Sequence, residues 1–272
     1  MGKGMMNRTV GLVFACAAMA AAQDKVTVPL SDPGKPAIVK ARQFSGRITV
    51  TVGTGPQVVV ESESSRRHER DTPRRNVPPG MHRIDIGDGG FSVEEDHNMV
   101  TISGGHGGNE NLLLEVPVNT SVDLRTTNGR IDVTGINGDL DVESTNASIE
   151  LKDVSGAVSA STTNGSVTVG LARVAPNKPM SFSSLNGRVD VSIPADTKAR
   201  LRLKTTNGSI FSDFDVKMEP DATKPVVEDA RGQGGKYMIR MDRSAGVYGS
   251  INGGGPEYSF QTMNGTILIH KR

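Results

Sequence analysis

The sequence has very little cysteine and few aromatic residues. Its 272 residues include one cysteine, Cys16, no tryptophan and 4% aromatic residues. If that cysteine is removed with an N-terminal leader, the mature chain has no thiol. Disulfides, thiol catalysis and a cysteine metal site are then excluded. The shortage of aromatic side chains favours a thin core of stacked aliphatic residues over a bulky globular core.

A strong charge of one sign is also missing. The net charge is +1 at pH 7, so we expect no strong electrostatic attraction to nucleic acid or to acidic membranes. The one basic stretch, residues 66–75, contains Glu69 and Asp71 and no interleaved aromatic residue. It therefore indicates a solvated loop, and nucleic acid is not an expected partner.

Residues 1–22 have the pattern of a secretory signal peptide. Lys3 and Arg8 form a positive first region, an apolar run ends in three alanines, and Gln23 follows. The apolar run is too short for a permanent transmembrane helix, which needs about 20 residues.

We therefore expect an exported mature chain, residues 23–272, with no transmembrane segment, located in the periplasm, on the cell surface or outside the cell. The residues around Cys16 loosely resemble a bacterial lipobox, so lipid anchoring at Cys16 is the alternative.

The main pattern that is present is an 18-residue repeat. Asn128, Asn146 and Asn164 are 18 residues apart, and each precedes a run of alternating apolar and polar residues. Alternation of this kind predicts strands, and a fixed period predicts a repeat architecture. A second turn, at 137–138 and again at 155–156, divides each unit into two short strands. Asn-Gly is expected to supply the positive φ of the turns.

Two all-β architectures fit this repeat, a parallel β-solenoid with coils of 18–22 residues and an antiparallel β meander. The two turns of each unit differ in kind, which favours the solenoid. Ile136 and Val154 would face water in a meander but can point inward at a solenoid corner. A meander would also place Glu143 opposite Glu150, a destabilising like-charge pair. We predict the solenoid, with the meander as the alternative.

Further copies of the unit continue to the end of the chain. Asn186 follows Asn164 by 22 residues, Asn207 follows Asn186 by 21, and Asn264 marks the last copy. The predicted organisation is one solenoid domain, residues 23–272, with irregular loops at 62–80 and 212–235.

Acidic residues in the repeats are the candidates for an enzyme site. Two carboxylates across a glycosidic bond, or a lyase base with a metal, would suit a lyase or glycosidase acting on an acidic polysaccharide. The candidates recur with the repeat period, as solvent-facing residues do, and the chain lacks tryptophan for stacking on sugars. We therefore expect no enzyme, no catalytic residue and no cofactor. These candidates are Asp132, Asp139, Asp141, Glu143, Glu150 and Asp153.

Histidines and acidic residues near position 95 suggest a metal site only weakly, because their spacing matches no ligand motif. We expect loop residues and no metal there. The residues concerned are His82, Glu94, Glu95, Asp96, His97 and His106.

Outward-facing ladders of the solenoid are the candidate binding surface, although solubility alone explains most such residues. The two ladders are Arg130, Ser148 and Ser166, and Asp132, Glu150 and Thr168.

Three features together resemble the bacterial putative-adhesin domain family over most of the mature chain. They are the recurrent T-[ST]-N-G-x-[IV]-x-[IV] units, a leucine strand that ends at Val116-Pro117, and the closing segment 251–257. One unit departs from the pattern, with Ala147 in place of glycine. The resemblance implies a right-handed β-helix-like fold, an envelope or extracellular location and a role in adhesion or scaffolding. It implies no catalytic residues, and a surface glycan or an envelope protein is the expected class of partner.

Overall fold

The computed structural model describes residues 24–64, 91–104, 110–219, 226–229, 237–240 and 246–272. Strands and their connections account for these residues, and none of them is helical. No described helix could therefore cross a membrane. The predicted leader, with Cys16, and the basic stretch 66–75 lie outside the described residues.

The described residues form twenty-three strands. The first twelve are β1 (Asp24–Val28), β2 (Ala37–Ser45), β3 (Ile48–Val52), β4 (Val58–Ser64), β5 (Phe91–Asp96), β6 (Met99–Gly104), β7 (Glu110–Val116), β8 (Thr120–Asn128), β9 (Ile131–Thr134), β10 (Leu140–Ser144), β11 (Ile149–Gly156) and β12 (Val158–Asn164). The others are β13 (Val167–Val174), β14 (Met180–Asn186), β15 (Val189–Ile193), β16 (Ala199–Asn207), β17 (Ile210–Ser212), β18 (Lys217–Met218), β19 (Val226–Asp229), β20 (Tyr237–Arg240), β21 (Val247–Ile251), β22 (Glu257–Asn264) and β23 (Ile267–Lys271).

Two large sheets enclose the core. Sheet A has ten strands in the order β1-β4-β7-β3-β9-β11-β13-β15-β23-β17. Sheet B has eleven strands in the order β18-β21-β16-β22-β14-β12-β10-β8-β2-β6-β5, and β19 pairs with β20 separately. We call a coil one strand of sheet B followed directly by one strand of sheet A, as in β10–β11. Stacked coils of this kind form a parallel solenoid.

The strand register confirms the solenoid and contradicts the meander. Ile149 pairs in parallel with Ile131 on one side and with Val167 on the other, each one 18-residue unit away. Asp132 pairs with Glu150 in the same register. A meander would have paired these strands antiparallel within one unit, so the 18-residue period is the length of one coil.

Side chains alternate between core and solvent because successive residues of a strand point to opposite faces. A single inward row crosses seven coils of sheet A with every member at most 1% exposed, and burial of each such side chain contributes about 1.5–3 kcal/mol. This row consists of Leu112, Ile48, Ile131, Ile149, Val167, Val189 and Ile267. The core is therefore a stack of aliphatic layers, as the composition predicted.

The second corner of the coil has the inward residues expected of a solenoid. Ile136 and Val154 are fully buried, which confirms the prediction that they turn inward. Positive φ occurs just before each of them, at Gly135 (78°) and Asp153 (52°), again 18 residues apart. The chain thus bends into this corner at a left-handed residue.

The backbone conformation at the Asn-Gly corner differs from the one that the sequence predicted. None of the glycines that follow a ladder asparagine has φ in the left-handed region, so the expected positive φ is wrong there. Close packing of neighbouring coils favours glycine instead, although one coil has Ala147 at this position. A Cβ at Gly187 would lie 2.0 Å from the carbonyl oxygen of Gly165 in the next coil, and one at Gly265 would lie 2.0 Å from that of Gly187.

Six asparagines of this corner form a continuous hydrogen-bonded ladder. In the order given below, the Nδ2 of each asparagine after the first donates to the Oδ1 of the preceding one at 2.7–2.9 Å, and all five bonds point in the same direction along the stack. Beneath it, hydroxyl groups such as Ser184 and Thr262 donate to the glycine carbonyl of the neighbouring coil. The ladder runs through Asn128, Asn146, Asn164, Asn186, Asn264 and Asn207.

The order of coils in space differs from their order in the chain. The C-terminal coil, β22–β23, lies between coil β14–β15 and coil β16–β17. Asn207 therefore does not neighbour Asn186, as the 21-residue step suggested; it bonds to Asn264. At the other end, coil β2–β3 lies between β6–β7 and β8–β9. Each end of the stack is thus closed by a coil that is not terminal in the sequence.

Antiparallel strands cover several edges of the stack. In sheet A, β4 pairs with β7 and β1 with β4, while in sheet B β5 covers β6 and β21 covers β16. The segment expected to be irregular from residue 62 begins as strand, because β4 continues to Ser64. Within 212–235, β18 and β19 are strands as well. Except for the hairpin of β5 and β6, these partners are remote in sequence, so the local pattern did not reveal them.

Candidate binding groove

The six acidic residues predicted as enzyme candidates are all paired with cations on the outer faces. Most of these pairs have N–O distances between 2.5 and 3.6 Å. The pairs are Asp132 with Arg47 and Arg130, Asp139 with Lys178, Asp141 and Glu143 with Arg125, Glu150 with Arg130 and Lys152, and Asp153 with Arg272.

Two of these carboxyl groups have lowered pKa values. The hydrogen bond from Lys178 lowers the pKa of Asp139, and the hydrogen bond from Lys152 is the largest cause that lowers the pKa of Glu150. A general acid for glycoside cleavage needs the opposite, a pKa raised towards the working pH. These two residues are therefore poorly suited to protonate a leaving group.

The predicted ladders of sheet A form a charge-compensated face. Arg130 donates to Asp132 at 2.6 Å and also to Glu150 in the next coil. The backbone N–H of Ser166 donates to the hydroxyl of Ser148 at 3.0 Å, so that ladder is also satisfied internally. Since partners within the face occupy these groups, the ladders offer few free groups for a ligand.

The predicted metal candidates are brought together only in part. Glu95 accepts hydrogen bonds from the backbone N–H of Ser31 and Asn98, which lower its pKa and tie the N-terminal segment to β5. Asp96 contacts His97. Among the described residues no three His, Cys, Asp or Glu side chains converge as a metal site would require. His82 and His106 lie outside those residues.

A long depression on the described surface lies across sheet B. It has a volume of about 460 Å³ and adjoins a second one of about 290 Å³. Glu143 and Thr145 line both, so the two form one continuous groove. We call it the sheet B groove. It crosses seven neighbouring strands, from β6 to β22, at right angles to the strand direction. Six strand spacings of about 4.8 Å give it a length of about 29 Å.

Two rows of side chains line the sheet B groove. The first row stands immediately before the asparagine ladder and has exposed apolar residues at its ends with threonines between them. It consists of Phe44, Thr127, Thr145, Thr163, Leu185 and Met263. The second row lies one alternation further along each strand and is polar throughout. It consists of Arg42, Arg125, Glu143, Ser161, Ser183 and Gln261.

Charges in the sheet B groove largely cancel. Arg125 donates to Asp123 at 3.0 Å, to Asp141 at 3.0 Å and to Glu143 at 2.5 Å. The hydrogen bond with Asp123 is the largest cause that raises the pKa of Arg125. One guanidinium thus faces three carboxylates, and little positive charge is left for an anionic ligand.

Sequence reasoning missed this groove because it considered the residues after each asparagine. The groove residues precede the asparagine instead. The sequence feature that indicates them is the replacement of the threonine at this position by Leu185 and Met263. These two side chains are 43% and 46% exposed, and Phe44 is 58% exposed. Phe44 was harder to find, because its copy has Ser45 in place of the asparagine.

Comparisons with known proteins agree with this fold. The Toastrack DUF4097 family matches residues 87–247, more than half of the chain. The crystal structure of a putative cell adhesion protein from Clostridium sporogenes ATCC 15579 aligns with a TM-score of 0.53 and 9% identity. The alignment covers 92% of this chain and 99% of that one. No curated protein sequence matches the chain.

Proposed function

The chain belongs to the Toastrack DUF4097 family, and from this premise we propose that it is an exported, non-catalytic binding module of the cell envelope, an adhesin or a scaffolding component. We further propose that the sheet B groove is its binding surface. The name of the Clostridium sporogenes protein and the leader-like residues 1–22 support this assignment.

One observation carries the proposal. The sheet B groove is long and shallow, and its side chains repeat from coil to coil. Repeating side chains at strand spacing suit an extended partner that contacts several coils at once. Solenoids commonly use such extended surfaces for binding.

The alternative, a lyase or glycosidase acting on an acidic polysaccharide, has less support. All six candidate carboxylates are ion-paired, and the pKa values of Asp139 and Glu150 are lowered rather than raised. The groove also has little free positive charge to hold an acidic substrate.

We propose residues 23–272 as one domain, which continues beyond the family match. The match leaves out the coils β2–β3 and β22–β23, yet both lie between coils that it includes. If either coil were removed, the coils on its two sides would lose their hydrogen-bonded strand partners. The functional unit is therefore the whole stack.

Binding to isolated envelopes tests the proposed function. Purified mature protein should sediment with envelope fractions of its host and should release neither reducing ends nor unsaturated products from a panel of polysaccharides. Thr145→Arg, which places a long charged side chain at the midpoint of the groove, should reduce sedimentation. Product release from any polysaccharide would instead support the enzyme.

A further inference from the structure

The sheet B groove restricts what can bind in it, because its backbone is fully used. Each strand from β2 to β22 is hydrogen-bonded to a parallel neighbour on both sides. No backbone edge is left in the groove, so a peptide cannot add to it as a further strand. The partner must be recognised by side chains alone.

Side chains of the groove combine apolar contact with hydrogen bonding along one line. Phe44 offers an exposed ring at one end, and Leu185 and Met263 offer aliphatic surface near the other. Between these ends the groove presents mainly hydroxyl groups, from the threonines of the first row and the serines of the second. Sugar rings have the matching chemistry, with C–H faces that pack on apolar side chains and hydroxyls that both donate and accept hydrogen bonds.

A protein partner would fit this surface less well. The apolar residues at the two ends are separated by three threonines, and so form no continuous apolar patch of the kind that marks protein interfaces. Repetition at a strand spacing of about 4.8 Å suits a polymer whose own units repeat along its length.

The charge balance selects between neutral and anionic polymers. Three cations, Lys40, Arg42 and Arg125, stand against Asp123, Asp141 and Glu143 in and beside the groove. The formal charges of these six groups cancel, and Arg125 is already bonded to all three carboxylates, so the surface has no net attraction for an anionic chain. A neutral chain avoids this repulsion.

We propose that the sheet B groove binds a neutral polysaccharide chain, which lies along the stack and crosses the strands at right angles. This inference rests on the binding function proposed above and names its ligand class. Contact with several coils explains why the groove extends over about 29 Å, so an oligosaccharide, rather than a single sugar, is the smallest ligand that fills it.

Calorimetric titration of the mature protein with neutral hexasaccharides of glucose, mannose and N-acetylglucosamine tests this inference. At least one should bind, and its disaccharide should bind more than about tenfold more weakly because it reaches fewer coils. Affinity should change little between about 0.05 and 0.5 M NaCl, because screening acts on charged ligands.

Variants locate the site. Phe44→Ala should weaken binding by about fivefold to tenfold through the lost ring contact, and Thr145→Arg should abolish it. The matched control is Phe211→Ala. Phe211 is also 58% exposed but lies on β17 in sheet A, outside the groove, so its loss should leave affinity unchanged. Circular dichroism spectra that match the wild type would show that the variants are folded.

Several outcomes would overturn the inference. One is binding of a neutral hexasaccharide that neither groove variant alters. Another is tighter binding of hexagalacturonate that salt removes; Arg202 and Lys204 on β16, one strand beyond the groove, would be the first residues to test in that case. If no hexasaccharide binds but the protein still sediments with envelopes, the ligand class is wrong and the binding function stands. Failure of both assays would reject the proposed function itself.

Discussion

Asn264 donates a hydrogen bond of 2.7 Å from its Nδ2 to the Oδ1 of Asn186, 78 residues earlier in the chain. This contact shows that the C-terminal coil, β22–β23, lies between two coils that come earlier in the chain. The ring of Phe260 stacks on that of Phe182 at a centroid distance of 5.2 Å in the same pair of coils. The last strands of the chain are thus part of the interior of the stack.

Paired cysteines should detect the inserted coil in solution. Asp190 is in register with Leu268, and Leu268 with Phe211, so Asp190 and Phe211 are two coils apart. With Cys16→Ser in the background, Asp190→Cys with Leu268→Cys should form a disulfide on mild oxidation. The control pair, Asp190→Cys with Phe211→Cys, should not, because about 9.6 Å exceeds disulfide reach. Peptide mapping that found the reverse pattern would mean that the coils stack in chain order.

Gly187→Ala should destabilise the stack by about 1–3 kcal/mol, because the new methyl group overlaps a carbonyl oxygen of the next coil. Urea unfolding measures the change. Gly34→Ala is the control: its Cβ would be 3.5 Å from Asp32, an ordinary contact, so its stability should stay within about 1 kcal/mol of the wild type. Equal effects of both substitutions would show that coil contact is not what requires glycine at position 187.

The lowered pKa of Glu150 makes part of the stability depend on pH. An unfolded glutamate has a pKa of about 4.3. In the folded protein the pKa of Glu150 is lower, first because of the hydrogen bond from Lys152 and then because of the charge of Arg130. The carboxylate therefore stabilises the fold above about pH 4.3 and loses this contribution as the pH falls through the folded pKa. Glu150→Gln should be less stable than the wild type at pH 7, and the difference should shrink below about pH 4.

Asp141→Asn is the control for this measurement. Its side chain is 52% exposed and shares Arg125 with two other carboxylates, so its removal should cost no more than about 1 kcal/mol at pH 7. A Glu150→Gln difference that stays constant from pH 7 to pH 3 would contradict the predicted linkage.

Export is predicted to remove residues 1–22. Intact-mass spectrometry of protein from the native host should show a chain that begins at Gln23 and carries no lipid. A diacylated chain that begins at Cys16 would make the protein a lipoprotein instead. Cys16→Ser separates the two cases, because it blocks lipid attachment but should leave cleavage before Gln23 unchanged.

Local periodicity was enough to predict most of the stack. The 18-residue spacing of Asn128, Asn146 and Asn164 matches the register, and the placement of Ile136 and Val154 at an inward corner was correct. Both features depend on contacts between residues no more than one repeat apart in the sequence. Such contacts produce a visible sequence period because every coil must bury the same positions.

The order of the end coils was not predictable in the same way. Asn207 and Asn264 both begin an equally good unit, so the period does not show which of them docks on Asn186. Remote contacts decide it, including the stacked rings of Phe182 and Phe260. Remote contacts also bring Phe44 and Met263 to the two ends of the groove, whereas its middle rows come from consecutive coils.

The asparagine ladder also links unfolding to a chemical change, the deamidation of its asparagines. In an Asn-Gly sequence the following backbone nitrogen readily attacks the side-chain amide carbon, which releases ammonia and forms a cyclic succinimide. Water then opens this ring to aspartate or isoaspartate. In the closed stack that amide is held by its ladder neighbours, whereas an opened coil frees it to react. The Nδ2 of Asn164, Asn186, Asn207 and Asn264 donates to the Oδ1 of an adjacent asparagine, so a carboxylate formed at any of these four would face that oxygen and hinder reclosure. We expect peptide masses to show this change after repeated heating. The ladder positions followed by glycine are Asn128, Asn164, Asn186, Asn207 and Asn264.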